Sequence, residues 1–264
     1  MQEATDFLAE TESLAEILSP LDEAGFQTVT QFKDWTIDAI LQHLHFFNRM
    51  ALWSMEEPDR FQADYARFSE GRKAEGSMVG ITDRMLEGLR GRALCDAWVE
   101  TARQITPRFA AADPKARVKW AGPDMSVRSS VTARLMETWA HGQAIYDVLG
   151  YQRVDGDRIR NIAHLGVATY GWTFINRGET PPEPAPYVRL TAPSGAHWEW
   201  GEPSGAERVE GPATDFCQVV AQTRNISDVE LTVTGPNAGR WMALAQCFAG
   251  PPNDPPAPGA RHKI

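Results

Sequence analysis

Apolar residues recur at helical spacing through most of the first 180 positions. Phe7, Leu8, Leu14, Ile17 and Leu18 mark a first helix over about 4–18, stopped before Pro20. A second stripe, Ile37, Ile40, Leu41, Leu44, Phe47 and Ala51, predicts a helix from an N-cap at Thr36 to about Met55. Asp38 falls in its first turn, where the helix dipole favours a carboxylate, and Pro58 ends it. Two shorter helices are expected at 61–72 and 79–89, punctuated by Gly71, Gly76, Gly88 and Gly91. A longer one covers about 93–112 before Asp113-Pro114, and a loop of 119–123 follows. The next helix starts near Ser129, reads VTARLMETWAHGQAIYDVL and stops at Gly150; another spans about 157–176 and ends at Gly178.

The texture changes at Thr180-Pro-Pro-Glu-Pro-Ala-Pro186, a linker by composition. Strand-like pieces at 187–191, 196–200 and 207–209 follow. Then come a helix at about 212–223, a strand at 230–234 and a helix at 238–248. The reading is therefore α+β: a mainly helical domain over 1–179 and a small α+β domain over 180–264. The last stretch, GPPNDPPAPGARHKI, is a Pro-rich tail with no means of packing itself.

Composition narrows the partners. The 264 residues carry a net charge of -9, which argues against a phosphate-binding face for nucleic acid and against docking on anionic lipid. No apolar run is long enough to span a bilayer, and the acidic, amphipathic start lacks the pattern of a signal peptide. Cys95, Cys217 and Cys247 are far apart, with no CxxC pair for a zinc ribbon or an iron–sulfur loop. Three reduced thiols fit a cytoplasmic protein.

Candidate chemistry sits on the helix that begins near Ser129. Glu137 and His141 are four apart, so both side chains share one face and can share one cation. A third ligand from a neighbouring helix would make a set of two histidines and one carboxylate with open positions for water or substrate. His43 and His45 both qualify; they flank the apolar arc of the second helix on opposite sides, and periodicity does not choose between them. Without a third ligand, Glu137 and His141 are an ordinary solvated pair on a helix surface.

Trp35-Thr36-Ile37-Asp38 followed by His43-Leu44 resembles the second-helix signature of the DinB-like superfamily, in particular its mycothiol-dependent maleylpyruvate isomerase branch. There a tryptophan precedes the metal histidine by eight residues, as Trp35 precedes His43. Glu137-Thr-Trp-Ala-His141 and the run to Gly150 resemble the same branch's second metal motif. The resemblance implies an up-down four-helix bundle with His43, Glu137 and His141 as ligands and His45 as a neighbour. It extends more weakly to Gly211, Ala213, Asp215 and Phe216, followed by Arg224. Family members commonly carry Asp where this chain has Ala144, a loss that removes a partner able to orient a ligating histidine.

The implied function is a metal- and thiol-dependent isomerase or transferase acting on a small unsaturated or electrophilic carboxylic acid. The cofactors would be a divalent metal, zinc first with iron, nickel or manganese also suited, and a small thiol such as mycothiol, bacillithiol or glutathione. No cysteine lies near the ligands in sequence, so the thiol would be external. Arg224 is the candidate for gripping the substrate carboxylate, with Arg128 and Arg134 behind it. Trp139 and Tyr146 are expected to pack the bundle, and His164, His197 and His262 carry no assignment. The alternative is a non-catalytic metal or small-molecule binding protein on the same scaffold, and bundle faces leave room for a homodimer. Trp198-Glu-Trp-Gly201 and Phe248-Ala-Gly-Pro-Pro252 also resemble proteins labelled with wyosine base formation. The radical enzymes of that pathway need a three-cysteine cluster that this chain lacks.

Overall fold

Thr36 does cap the second helix: its Oγ1 accepts from the Ala39 backbone N–H at 3.1 Å. Asp38, beyond its dipole contribution, ties two other segments to that helix start. One carboxylate oxygen accepts from Gly91 N at 2.8 Å and the other from Gln27 Nε2 at 2.6 Å. The structure, a computed structural model, describes residues 1–122 and 124–264 and divides them into two compact units, Met1–Val148 and Leu149–Ile264. Pro123, at the end of the loop expected over 119–123, lies outside the described residues.

The first unit contains α1 (Gln2–Leu18), α2 (Ile37–Glu56), α3 (Pro58–Glu75), α4 (Met78–Met85), α5 (Gly91–Ala111) and α6 (Val127–Val148). A two-stranded ribbon of β1 (Arg117–Val118) and β2 (Met125–Ser126) precedes α6. α1 packs on α5 and α6, and α2 packs on α5 and α6, which makes the expected four-helix bundle. Its centre holds Phe7, Leu14, Leu44, Trp98, Phe109, Leu135 and Trp139, all without solvent exposure. Burying each such side chain contributes on the order of 1.5–3 kcal/mol. Trp139 and Tyr146 pack here as expected, and the Tyr146 hydroxyl donates to Ser13 O at 3.3 Å. α3 and α4 pack on each other and on α2, so α2 has neighbours on all sides.

The second unit begins with α7 (Arg160–Ala168) and α8 (Tyr170–Ile175). The single helix expected over 157–176 is thus a 3-10 turn at Asp157–Ile159 and two short helices. The four-stranded sheet has β3 (Tyr187–Thr191), β4 (His197–Trp200), β5 (Arg208–Pro212) and β6 (Thr232–Thr234), in the order β4-β3-β5-β6. Only the β3–β5 pairing is parallel. α9 (Ala213–Val220) follows β5, and α10 (Pro236–Leu244) follows β6. α10 starts two residues earlier than the periodicity predicts, because Pro236 suits the first helical turn and Gly235 supplies the φ of 92° before it. It stops at Leu244; beyond it Gln222 Nε2 donates to Ala245 O, and Gln246 N donates to Thr173 Oγ1.

Two expectations about organisation change. The Pro-rich stretch of 180–186 lies inside the second unit rather than between the two, because α7 packs on α9. Gly166 permits that approach: a Cβ there would sit 2.7 Å from Val220 Cγ2 and 3.0 Å from Phe216 Cε1. The tail is also held, through polar groups rather than a core. Asn253 Nδ2 donates to Gln222 Oε1 at 2.6 Å, Gln222 Nε2 donates to Asn253 O, and Asn225 Nδ2 donates to Pro256 O. Arg261 Nη1 donates to Gln222 O, and Arg177 donates to Asn253 and Asp254. Among the described residues no helix is long and apolar enough to cross a membrane.

Candidate metal centre

α2 and α6 bring His43, Glu137 and His141 together. His43 Nε2 lies 3.3 Å from Glu137 Oε2, and His141 Nε2 lies 3.1 Å from the same oxygen. One ligand atom from each residue falls within 4.8 Å of the others, and no fourth His, Cys, Asp or Glu joins the group among the described residues. Two members of the cluster follow from helical spacing, since Glu137 and His141 are one turn apart on α6. The third depends on the packing of α2 against α6.

The choice between the two histidines of α2 is made by geometry, not by burial. His43 is 8% exposed and His45 5%, but only His43 reaches the cluster. Burial, ahead of repulsion from His141, pulls the His43 imidazole down to about 4, so it is neutral at pH 7 and has a lone pair to offer. Burial alone would raise the Glu137 carboxyl. Hydrogen bonds from His141 and His43 outweigh it and hold that group well below the usual carboxylate range. A neutral imidazole beside an ionised carboxylate is the protonation state a divalent cation requires. The Nδ1 of His43, on the far side of the ring, is buried with no hydrogen-bond partner among the described residues.

Aromatic rings wall the cluster. Trp35 lies parallel to His141, planes 4° apart and centroids 6.1 Å apart, and stands 5.6 Å from His43. Phe32 meets His141 edge-on at 4.8 Å, and Phe47 lies 4.9 Å from His43. Phe32 and Trp35 are the ends of a tight turn in which Trp35 N donates to Phe32 O at 2.9 Å. Its central residues, Lys33 and Asp34, have φ of 53° and 56°. Trp35 stands out in the sequence eight places before His43, and Phe47 follows His43 by one helical turn on α2; Phe32 and Trp120 carry no signal there, because packing alone brings them in.

The other sequence candidates fall elsewhere. Arg224 belongs to the second unit, in the segment after α9, where its Nη1 donates to Thr223 O at 2.9 Å. Arg128 pairs with Glu3 at 3.2 Å. Arg134 is on α6, one turn before Glu137, and is 3% exposed. His164 Nδ1 accepts from Trp200 Nε1 at 3.2 Å. All three cysteines are buried, and none is in a disulfide bond. Burial pushes the Cys95 thiol up to about 11 and the Cys217 thiol well above its ordinary value. Neither is a thiolate at neutral pH. Cys95 lines a separate groove with Ala15, Arg92, Asp96, Val99, Glu100 and Arg103.

Comparison with known proteins follows the same lines. Residues 7–146 match the family described as the mycothiol maleylpyruvate isomerase N-terminal domain. Uncharacterized proteins from two strains of Mycobacterium tuberculosis are each 36% identical over 248 residues, 94% of this chain and 95% of theirs. The crystal structure of the mycothiol-dependent maleylpyruvate isomerase superposes with a TM-score of 0.51 at 15% identity, covering 84% of this chain and 88% of that one. A mutant of that enzyme gives 0.50 at 16% over the same shares. At these identities the structural likeness is one of fold.

Proposed function

The chain belongs to the mycothiol maleylpyruvate isomerase N-terminal domain family, and from that premise we propose that it is a metal- and thiol-dependent enzyme acting on a small electrophilic acid. The observation that carries the reading is the convergence of His43, Glu137 and His141 with no fourth protein ligand among the described residues. The donor set fits a divalent cation: two imidazole nitrogens and one carboxylate oxygen suit zinc, with iron, nickel and manganese as competitors. When bound, such an ion lowers the pKa of a coordinated thiol or polarises a carbonyl.

The chain's own residues set the conditions for that chemistry. His43 presents a neutral nitrogen beside His141, and Glu137 brings the negative charge that offsets a cation. Trp35, Phe32 and Phe47 exclude water from one side, which strengthens charge interactions inside. The nucleophile is an external thiol, mycothiol by family, because the cysteines with raised pKa values are protonated and buried. Buried cysteines outside any disulfide also suit a reducing compartment such as the cytoplasm. Arg224, in the second unit, is carried forward as a proposed carboxylate-binding residue with no position assigned relative to the metal cluster.

The test is turnover of an unsaturated carboxylic acid by the zinc-loaded protein with and without mycothiol, beside His141→Ala. Thiol-dependent turnover that His141→Ala abolishes supports the enzyme. One equivalent of metal with no thiol-dependent turnover under any of the four metals favours the non-catalytic binding protein.

A further inference from the structure

Arg134 carries a positive charge into the interior with its hydrogen-bonding capacity only partly used. Its side chain is 3% exposed, and Nε and Nη1 have no hydrogen-bond partner among the described residues. A buried donor left unmatched carries the full penalty of its desolvation, and a charged one carries more. The nearest countercharge, Glu137, is engaged with His43 and His141. Ser130 and Thr138, one turn to either side on the same face of α6, are also buried with hydroxyls that lack partners among the described residues.

The surroundings point this guanidinium toward the metal centre. Its Cζ lies 5.7 Å from the centroid of the Phe47 ring and 5.8 Å from that of Trp120. The same Phe47 ring lies 4.9 Å from His43. One aromatic side chain therefore contacts both the cation and a proposed ligand. Trp120 continues the wall by stacking on Phe61, centroids 6.1 Å apart and planes 19° apart. A fixed planar cation with unused N–H donors, bordered by aromatic faces, matches a carboxylate attached to a flat apolar body.

We propose that Arg134 is the carboxylate anchor of the substrate site, holding a small conjugated acid against Phe47 and Trp120 with its electrophilic end toward His43, Glu137 and His141. This deepens the enzymatic reading above by assigning recognition of its acid to a residue on the metal-bearing helix. Lysine cannot replace it, because an ammonium lacks the two-pronged fork.

The experiment is calorimetric titration of the full chain with sorbate, its amide sorbamide, and the saturated acid hexanoate. Each is run on zinc-loaded and chelator-stripped protein, for wild type, Arg134→Lys and Arg134→Met, with metal content and melting temperature recorded. Wild type is expected to prefer sorbate over sorbamide by about tenfold or more in both forms, as charge-assisted hydrogen bonds predict. Both variants lose that preference while keeping their metal. No preference in stripped wild type, or full preference in Arg134→Lys, overturns the inference. If the arginine variants do not fold, Trp120→Leu decides: weaker sorbate with unchanged hexanoate supports it, and equal loss of both overturns it. An Arg134-dependent preference in a wild type that takes up no metal keeps this inference and removes the metal reading; metal without the preference does the reverse.

Discussion

His43 and Glu137 are 94 positions apart in the chain, yet His43 Nε2 stands 3.3 Å from Glu137 Oε2. His45, two residues along α2, is buried too but lies outside the cluster; burial beside Arg49 pulls its imidazole down to about 4, and its Nδ1 is unpartnered among the described residues. The two histidines should therefore separate cleanly. His45→Phe is expected to keep wild-type metal content and to change stability by no more than about 1–2 kcal/mol, whereas His43→Phe loses the metal. Equal metal loss in both would contradict the assignment.

The turn that presents Phe32 and Trp35 holds two non-glycine residues at positive φ, the backbone of a type I′ hairpin turn. Replacing Lys33 with Asn and Asp34 with Gly together supplies the pair this turn favours. The double variant should be more stable by about 1 kcal/mol in urea unfolding, with unchanged metal content. Destabilisation would show that the charges at these positions matter more than the backbone.

Asp38 gives a pH signature. Its pKa is raised above the ordinary 3.8, burial outweighing the hydrogen bonds from Gly91 and Gln27. The native state then holds this proton more tightly than the unfolded chain. Its stabilising contribution is fully present below the unfolded value and is lost as pH climbs through the folded one. Wild type should therefore lose stability relative to Asp38→Asn as pH rises above 3.8, read from urea midpoints at stepped pH. A constant difference across that range would mean that Asp38 titrates normally.

Gly166 is a packing requirement rather than a turn residue. A methyl group there meets Val220 Cγ2 at 2.7 Å and Phe216 Cε1 at 3.0 Å, so Gly166→Ala should destabilise by about 1–3 kcal/mol despite better helix propensity. A neutral or stabilising result would show that α7 and α9 can separate at no cost.

Much of the site was readable in the chain because its parts are local. Thr36 as cap, the stripe of α2 and the four-residue step from Glu137 to His141 depend only on helical period. The choice of His43 over His45 was not readable from the period. α2 is packed by α3, α4, α5 and α6, so its polar flanks are buried with its apolar stripe, and a helical wheel cannot tell inside from outside. The resemblance supplied that choice through Trp35. Phe32, Phe47 and Trp120 come from three separated segments, and only the fold assembles them. The Pro-rich run over 180–186 read as a boundary by composition, but contacts between α7 and α9 decide where the compact units divide. The tail looked unable to pack because it has no apolar stripe; Gln222, Asn225 and Arg177 hold it by hydrogen bonds that no hydropathy pattern reveals.

The most direct measurement is metal content by elemental mass spectrometry on untagged wild type and His43→Ala. The account predicts about one equivalent of a divalent metal in wild type and near-complete loss in the variant, more than the roughly 10–100-fold affinity loss typical of a residue that only orients a ligand. No metal in wild type after reconstitution with zinc, iron, nickel and manganese, or equal metal in both proteins, would contradict it.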